Sequence, residues 1–330
     1  MTRTLLVTGV ARVVGGAMCR RLSLDPDIDR ILAVDTVAPP HDLGRAQFVR
    51  ADIRNPVISR IIDQEEVDTV LHLGVITSSR LAGNRSRQKD INVVGTMQLL
   101  AACQNATSVR RLVVKSSGAV YGASKRDPAR FTEQSTATPA STRGFARDSV
   151  EVEGYVRGFA RRRPGVSVVM LRMANVMGPG LHTALTDYFD TPVLPVPFGY
   201  DGRFQLLHLD DALEALRLAA KPDAPTGTFN VAGDGILTLR QAARIAHRPV
   251  VPALRESLGL LGPLIQRTWM PGFDANETDF LSYGRALDTT KMREVLKFEP
   301  RYTTRATFEQ RYSPIPALAG PTANWTDRHE

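Results

Sequence analysis

The first half of the chain alternates short apolar runs with helix-periodic stretches, and this alternation limits the possible folds more than any other feature. The apolar runs include TRTLLVTG, RILAVD and VDTVLHLG, and helical periodicity covers about 13–24, 87–104 and 144–163. Strands that are apolar throughout are typical of a parallel sheet covered by helices on both faces. Because such crossovers are right-handed, the sequence predicts an α/β fold with a doubly wound parallel sheet.

The composition of the sequence changes after Gly178, where proline and glycine become frequent, as in TPVLPVPFGYDG. We therefore expect a dinucleotide-binding domain at 1–178 and a smaller substrate lobe at 179–330. Segments at about 204–231, including GTFNVAG, are expected to return to the main sheet. An apolar stretch at 259–270 is expected to be lobe core or a dimer contact rather than a membrane-surface element.

Composition and charge narrow the classes of function. The formal net charge is +8, but the basic residues are spread along the chain, so no nucleic-acid partner is expected. No apolar run reaches the about 20 residues of a membrane helix, and the first strand begins at Arg3, so neither a membrane span nor a signal peptide is expected. Cys19 and Cys103 are expected to be buried thiols of a cytoplasmic protein, and no metal site is expected.

The first strand-to-helix turn, VTGVARVVGG, has a glycine pattern suited to a dinucleotide. Gly9 would permit the tight turn and Gly15 the close packing of helix on strand, so that the helix N-terminus faces a pyrophosphate. Asp35 ends the second strand, where a carboxylate binds ribose hydroxyls and repels a 2′-phosphate. The alternative is a plain turn followed by a solvated acid. We predict NAD as the cofactor, and the predicted contacts in this region are Gly9, Arg12, Val13, Val14, Gly15 and Asp35.

Several motifs, in order, resemble those of the NAD-dependent epimerase/dehydratase family, an extended branch of the short-chain dehydrogenases/reductases. They are VTGVARVVGG, ADIRN, LHLGV, INVVGTMQLLAAC, VVKSSGAVYG, LRMANVMGPG, HLDDALEAL, GTFNVAGDGILTLRQAARIA and LDTTKMREVLKFEPRYT. The likeness spans roughly 3–308, and it is nearest to actinobacterial UDP-glucose 4-epimerase-like proteins. It implies NAD-dependent chemistry on a nucleotide sugar or related polyol. It also implies a homodimer formed through the helices at about 87–104 and 144–163.

The resemblance assigns roles to further residues. The additional cofactor contacts that it implies are Asp52, Ile53, Leu73, Gly74, Asn92 and Ser116. It places Ser117 in the catalytic serine/threonine position. The substrate contacts considered are Asn175, which the resemblance supplies, and Arg203 and Arg285, whose guanidinium groups suit a diphosphate.

Four other polar residues are candidates for the site. His72 ends a buried strand and is expected to be structural rather than catalytic. His208 precedes Asp210 and Asp211 at a strand-to-helix junction that borders the substrate crevice in the resemblance. The two acids are expected first to cap the helix N-terminus.

Arg12 departs from the family pattern, because it stands where a glycine normally lets the backbone approach the pyrophosphate. Its guanidinium could contact a phosphate directly. It could equally face solvent on a slightly wider loop, and the sequence leaves both alternatives open.

The family's catalytic Tyr-x-x-x-Lys pair is matched by the string Tyr121 to Lys125, but at an unexpected place. In the family the two residues share a helix face, which lets the lysine lower the pKa of the tyrosine. Here the string directly follows the fifth strand, and Gly122 opposes a helix. We interpret it as a coincidental match without a catalytic role.

The expected position of the pair lies about twenty-five residues further on, in the helix at 144–163. Aligning this helix on one of its glutamates places the pair on Phe145 and Ser149. Aligning it on another places the pair on Arg143 and Arg147. Neither alignment supplies a tyrosine.

Two hypotheses of different classes follow. The first is an NAD-dependent enzyme with epimerase-like chemistry, in which Ser117 orients a substrate hydroxyl and an unidentified group supplies the acid or base. The second is a catalytically silent NAD-binding protein that acts as a sensor or partner-binding module. The retained cofactor motifs favour the first hypothesis, and the altered pair position favours the second.

Overall fold

A central parallel sheet organises the computed structural model, which describes residues 3–77, 82–136, 143–254 and 275–313. The strands of this sheet are β1 Thr4–Thr8, β2 Arg30–Asp35, β3 Gln47–Arg50, β4 Thr69–His72, β5 Arg111–Ser117, β6 Ser167–Met173 and β11 Gly227–Val231. Their order is β11-β6-β5-β4-β1-β2-β3, and all neighbours are parallel. The strand order reverses between β1 and β4, as in a doubly wound sheet. The predicted fold class is therefore confirmed.

Helices cover both faces of this sheet. The helices of the described residues are α1 Val13–Leu22, α2 Val57–Gln64, α3 Arg85–Lys89, α4 Gly95–Asn105, α5 Gly144–Arg162, α6 Ala184–Phe189, α7 Leu209–Ala220, α8 Leu239–Ile245, α9 Ala275–Tyr283, α10 Thr290–Glu294 and α11 Thr304–Tyr312. Of these, α6, α8, α9 and α11 pack in a separate core and not on this sheet. Helices α1 and α7 pack on one face with Val113 of β5, while α2, α4 and α5 pack on the other face with Leu112 and Val114. Because both faces are covered, successive residues of the strands are apolar.

The helix expected at about 87–104 extends from Arg85 to Asn105, but it is interrupted. A π-helical turn at Asp90–Val94 separates α3 from α4. The Asn92 carbonyl accepts a bond from Thr96 Oγ1 at 2.5 Å. The free thiols of Cys19 and Cys103 are buried in the helix layers, and burial raises the pKa of each to about 12.

After β6 the chain forms small sheets and also contributes β11 to the main one. The additional strands are β7 Asn175–Met177, β8 Leu194–Pro197, β9 Arg203–Phe204, β10 Leu206–His208, β12 Leu237–Thr238, β13 Val250–Ala253 and β14 Gly284–Arg285. They pair as β7 with β10, β8 with β13, and β9 with both β12 and β14. A separate core around Phe189, Phe204 and Phe308 supports them. The stretch 259–270 lies outside the described residues. Among the helices described, none has the length and apolarity needed to cross a membrane.

Candidate functional site

The loop between β1 and α1 has the backbone shape of a dinucleotide-binding turn. Gly9 has a φ of +78°, and a Cβ on it would come within 2.5 Å of the Gly74 Cα. A Cβ on Gly15 would overlap the Gly9 carbonyl oxygen, so α1 packs against the loop because both residues are glycine. The helix N-cap is Arg12, whose side chain makes no capping hydrogen bond. The first-turn N–H groups of α1 are therefore available to an anion.

Asp35 lies beside this loop at the end of β2. One carboxylate oxygen accepts a hydrogen bond from Ala11 N at 3.0 Å, and the other accepts one from Thr36 N at 2.8 Å. These bonds fix the carboxylate on the wall of a large cavity. Oδ1 also accepts a long bond from Thr36 Oγ1 at 3.4 Å, whereas Oδ2 keeps a lone pair that a ribose hydroxyl can use. The glycine turn and this acid together fit the adenosine and diphosphate parts of NAD.

Two cationic side chains line the same cavity near the loop. Burial lowers the pKa of Arg12, although the Asp35 carboxylate acts in the opposite direction. Burial, and then the neighbouring Arg12 guanidinium, lowers the pKa of Lys115 on β5 to about 8. Within the described part of the chain, neither side chain makes a hydrogen bond or a salt bridge. Lys115 was missed by the sequence analysis, although a lysine inside the apolar run VRRLVVKSS is unusual enough to signal it.

A buried hydrogen-bond network holds the end of β5. The Ser116 hydroxyl donates to Glu153 Oε1 at 2.7 Å, and Arg172 binds both oxygens of Glu153 at 2.9 and 2.6 Å. The Tyr121 hydroxyl accepts from Arg172 Nη1 at 2.8 Å and donates to Asn230 Oδ1 at 2.7 Å. The network therefore joins β5, β6, β11 and α5. Ser116 borders the cavity, but its hydroxyl is committed to α5.

Helix α5 brings an aromatic ring, not a phenol, to the cavity. Phe145 and Ala146 line the cavity, as does Ser117 at the end of β5. Ser149 is buried, and its hydroxyl donates to the Phe145 carbonyl at 2.9 Å. The second alignment placed the pair on Arg143 and Arg147, which are not among the residues lining the cavity. Of the two alignments, only the one based on Phe145 thus brings a pair position to the cavity.

Tyr121 and Lys125 do not share a helix face. A 3-10 turn at Gly118–Tyr121 ends at Gly122, which has a φ of +72°, and Lys125 is exposed. The Tyr121 ring stacks on Phe131 with centroids 4.7 Å apart. Burial raises the pKa of Tyr121, and the residue is not among those lining the large cavity.

The other residues expected to contact the cofactor lie in different surroundings. Leu73 lines the cavity, and Gly74 lies against the glycine loop. Asn92 does not line the cavity. Its amide accepts from Ile76 N at 2.7 Å and donates to Ile76 O at 2.8 Å, so it fixes the loop that follows β4.

Asp52 and Ile53 also lie away from the cavity lining. The carboxylate of Asp52 binds Arg54, with Oδ2 at 2.6 Å from Nη2, and this bond lowers the pKa of Asp52. The Ile53 side chain lies against Gly95 at the start of α4. Both residues therefore lie outside the lining of the cavity.

His72 is enclosed in the sheet. Its Nδ1 lies 2.9 Å from Thr8 Oγ1, and its Nε2 lies 2.8 Å from Thr96 Oγ1. Burial, and then the charge of Lys115, lowers the pKa of His72 to about 4. The neutral ring links β1, β4 and α4, which agrees with the expected structural role.

The expectation that the acids cap α7 needs correction, since the N-cap is His208. Its Nδ1 accepts from Asp210 N at 3.2 Å, and its ring stacks on Tyr302 at 3.9 Å. Asp211 instead accepts from the backbone N–H groups of Arg301 and Tyr302, both at 3.0 Å. An imidazole nitrogen can replace a carboxylate here because a cap requires only an acceptor.

On the substrate side, the structure brings together two of the three residues considered. Asn175 and Arg285 line the large cavity, whereas Arg203 borders a smaller one of about 210 Å³ that Arg285 also reaches. Arg285 Nε donates to the Gly122 carbonyl at 2.9 Å. Tyr188 and Phe280 also line the large cavity. No sequence pattern identifies these two residues, because they lie in the irregular part of the chain.

These residues surround one continuous cavity of about 840 Å³ at the carboxyl ends of the strands. It runs from the glycine loop past the ends of β2, β4 and β5 to α6 and α9. Ligands of doubly wound proteins bind at this edge, where the strand order reverses. In the described ranges, no three His, Cys, Asp or Glu side chains converge as they would around a metal ion.

Comparison with known proteins gives relatives along most of the chain. An uncharacterized protein of Mycobacterium tuberculosis is 45% identical over 311 residues, covering 93% of this chain and 82% of that protein. A UDP-glucose 4-epimerase of Lactobacillus helveticus is 28% identical over 325 residues, covering 90% and 92% respectively.

The fold has solved counterparts. The UDP-glucuronic acid 4-epimerase of Bacillus cereus, in complex with UDP-glucuronic acid and NAD, superposes with a TM-score of 0.71. The alignment has 18% identity and covers 94% of this chain and 98% of that one. Residues 5–232 match the model of the NAD dependent epimerase/dehydratase family, which confirms the predicted cofactor, NAD, at the level of the family. The chain therefore belongs to the NAD-dependent epimerase/dehydratase family.

Proposed function

We propose that the chain is a cytoplasmic NAD-dependent oxidoreductase that acts on a nucleotide sugar or a related polyol, with Phe145 and Ser149 in place of the catalytic tyrosine and lysine. The observation that carries this proposal is the continuous cavity, which joins the dinucleotide loop to α6 and α9. A homodimer through the helices expected from the sequence is supported by the exposed apolar side chains of Met97 on α4 and Tyr155 on α5.

In this proposal the glycine turn and Asp35 hold NAD. Gly9 and Gly15 let α1 begin close against the loop, so that its first-turn N–H groups can face the diphosphate. Asp35 binds the ribose hydroxyls. NAD, when bound, supplies the hydride acceptor. The chain itself has to orient the sugar and exclude water from the reacting atoms.

Ser117 is the polar group best placed to orient a substrate hydroxyl. It lines the cavity at the end of β5, and its oxygen accepts only one backbone bond, from Ala119 N at 3.1 Å. The hydroxyl proton is therefore available to a ligand. Phe145 can exclude water but has no proton to exchange. General acid–base assistance is worth about 10²–10⁴-fold, so we expect slow chemistry.

The second candidate, a catalytically silent NAD-binding protein, is favoured by the same helix. Ser149 carries no positive charge, and its hydroxyl is already bonded to the Phe145 carbonyl. A protein that keeps the cofactor turn but lacks the pair would bind NAD without turning over a sugar.

A single-turnover experiment separates the two candidates. The purified protein is saturated with NAD and mixed with a panel of UDP- and dTDP-linked sugars, and NADH is followed by its absorbance and fluorescence. We expect slow formation of NADH with at least one sugar. Tight binding of NAD and of UDP without reduction by any sugar would establish the silent protein instead.

The role of Phe145 is tested by Phe145→Tyr, which adds one hydroxyl where the family has its tyrosine. We expect faster formation of NADH, at most by the about 10²-fold that marks the lower end of acid–base assistance, because no lysine assists the new phenol. Phe198→Tyr is the matched control, since Phe198 is 66% exposed and is not among the residues lining the cavity. An unchanged rate in Phe145→Tyr would remove Phe145 from the pair position.

A further inference from the structure

We propose that Lys115 and Arg12 form a paired-cation site for a diphosphate group, so that the strand β5 contributes to a subsite that the glycine turn alone does not complete. This inference rests on the proposed function, because it assumes that the cavity takes NAD, a nucleotide sugar or both. The diphosphate is common to these two ligands.

The placement of the two side chains supports this site. Arg12 is the N-cap of α1, and its side chain lines the cavity instead of capping the helix. Lys115 lines the same cavity from β5. Side chains alternate along a strand, so Lys115 and Ser117 lie on one face of β5, roughly 7 Å apart along the strand. The two cations thus lie where the helix N-terminus and the carboxyl end of the sheet meet.

The charged groups around Lys115 favour the binding of an anion. Arg12 is close enough to lower the pKa of Lys115. His72 of β4 is neutral, and its ring binds Thr8 and Thr96 on the opposite face of the sheet. The carboxylate of α5 that reaches β5, Glu153, is already bound by Arg172. The Asp35 carboxylate raises the pKa of Arg12 and so partly offsets the effect of burial.

The remaining charged side chains or histidines of the cavity lining are Arg87, His182, Asp279 and Arg285. Within the described residues, no carboxylate pairs with Lys115. Both cations are partly buried, and a cation that loses hydration without gaining a partner is costly. A diphosphate carries charge that both cations can bind. Lys115 also gives the cavity a positive charge that Ser149 does not supply.

Binding that restores the charge of Lys115 takes up a proton, and this uptake is measurable without turnover. Calorimetric titrations with NAD and, separately, with UDP are run at about pH 9, above the pKa of about 8 that Lys115 has without ligand. Repeating them in buffers of different ionisation enthalpy gives the number of protons bound. We expect uptake approaching one proton per ligand in the wild-type protein.

Three variants test the assignment. Lys115→Met should bind the diphosphate ligand about 10- to 100-fold more weakly at about pH 7, the range for losing a hydrogen bond to a charged group, and should show no uptake. Lys115→Arg should keep most of the affinity and also lose the uptake, because arginine stays protonated. Lys125→Met is the matched control, since Lys125 is exposed, and it should behave as the wild type does.

The two ligands separate the sources of the diphosphate. If Lys115→Met loses affinity for NAD alone, the site belongs to the cofactor. If it loses affinity for UDP alone, the site belongs to the substrate. Unchanged affinity and unchanged uptake in Lys115→Met with both ligands would overturn the proposal. Lys115→Met should also melt no lower than the wild type without ligand, because an unpaired ammonium is removed; a large drop would make Lys115 a structural residue. None of these readouts needs a reactive sugar, so a failure of the proposed reaction remains distinguishable.

Discussion

Replacing Tyr121 by phenylalanine removes one buried hydroxyl and leaves the ring in place. The hydroxyl donates to Asn230 Oδ1 at 2.7 Å and accepts from Arg172 Nη1 at 2.8 Å. In the variant, Asn230 Oδ1 loses its donor, while Arg172 Nη1 keeps the Glu133 carbonyl at 3.0 Å. Leaving one buried acceptor unsatisfied costs about 1–3 kcal/mol. We therefore expect the free energy of unfolding to fall by about 2 kcal/mol.

The same variant should keep its chemistry. Tyr121 is not among the residues lining the cavity, so NAD affinity and the rate of NADH formation per folded molecule should match the wild type. Stability is measured by denaturant unfolding followed by circular dichroism, and function by calorimetry and single-turnover absorbance. Tyr200→Phe is the matched control, because Tyr200 is 38% exposed, and it should change stability by less than about 0.5 kcal/mol.

One result would refute this reasoning. If Tyr121→Phe abolished NADH formation while the unfolding curve stayed that of the wild type, Tyr121 would be the catalytic tyrosine. The string Tyr121 to Lys125 would then be the active pair, and Phe145 would have no special position.

Two further predictions concern the cofactor turn. Asp35→Ala should weaken NAD binding by about 1.5–3 kcal/mol, the range for a hydrogen bond to a charged group, and should reduce the preference for NAD over NADP. Calorimetry with both cofactors measures these affinities, and tighter binding of NADP than of NAD by the wild type would contradict the prediction. Gly15→Ala should weaken NAD binding and cost about 1–3 kcal/mol of stability through overpacking, because its Cβ would overlap the Gly9 carbonyl. Gly165→Ala, where a Cβ meets nothing within 4 Å, should leave both quantities unchanged, and equal behaviour of the two alanine variants would show that the turn tolerates a side chain.

Much of the cavity wall could be predicted from sequence, because a few local rules determine it. The glycine turn, Asp35, Leu73 and Ser117 all stand at the carboxyl ends of strands, and strand ends can be located from apolar runs. The places where prediction and structure differ are polar residues whose partners lie elsewhere in the chain. Asn92 is one example, since its amide is used by the backbone of Ile76.

The sequence by itself determined the type of fold and the type of cofactor, because apolar runs specify buried parallel strands, and glycines followed by an acidic strand end specify a dinucleotide turn. Only the tertiary structure decided which polar groups are bonded to other parts of the protein and which are available to a ligand. Lys115 lies near the end of β5 and Tyr121 lies in the turn that follows it. The tyrosine hydroxyl is enclosed by Arg172 of β6 and Asn230 of β11, whereas Lys115 borders the cavity. This difference depends on segments that are distant in sequence and adjacent in space, and no local pattern contains that information.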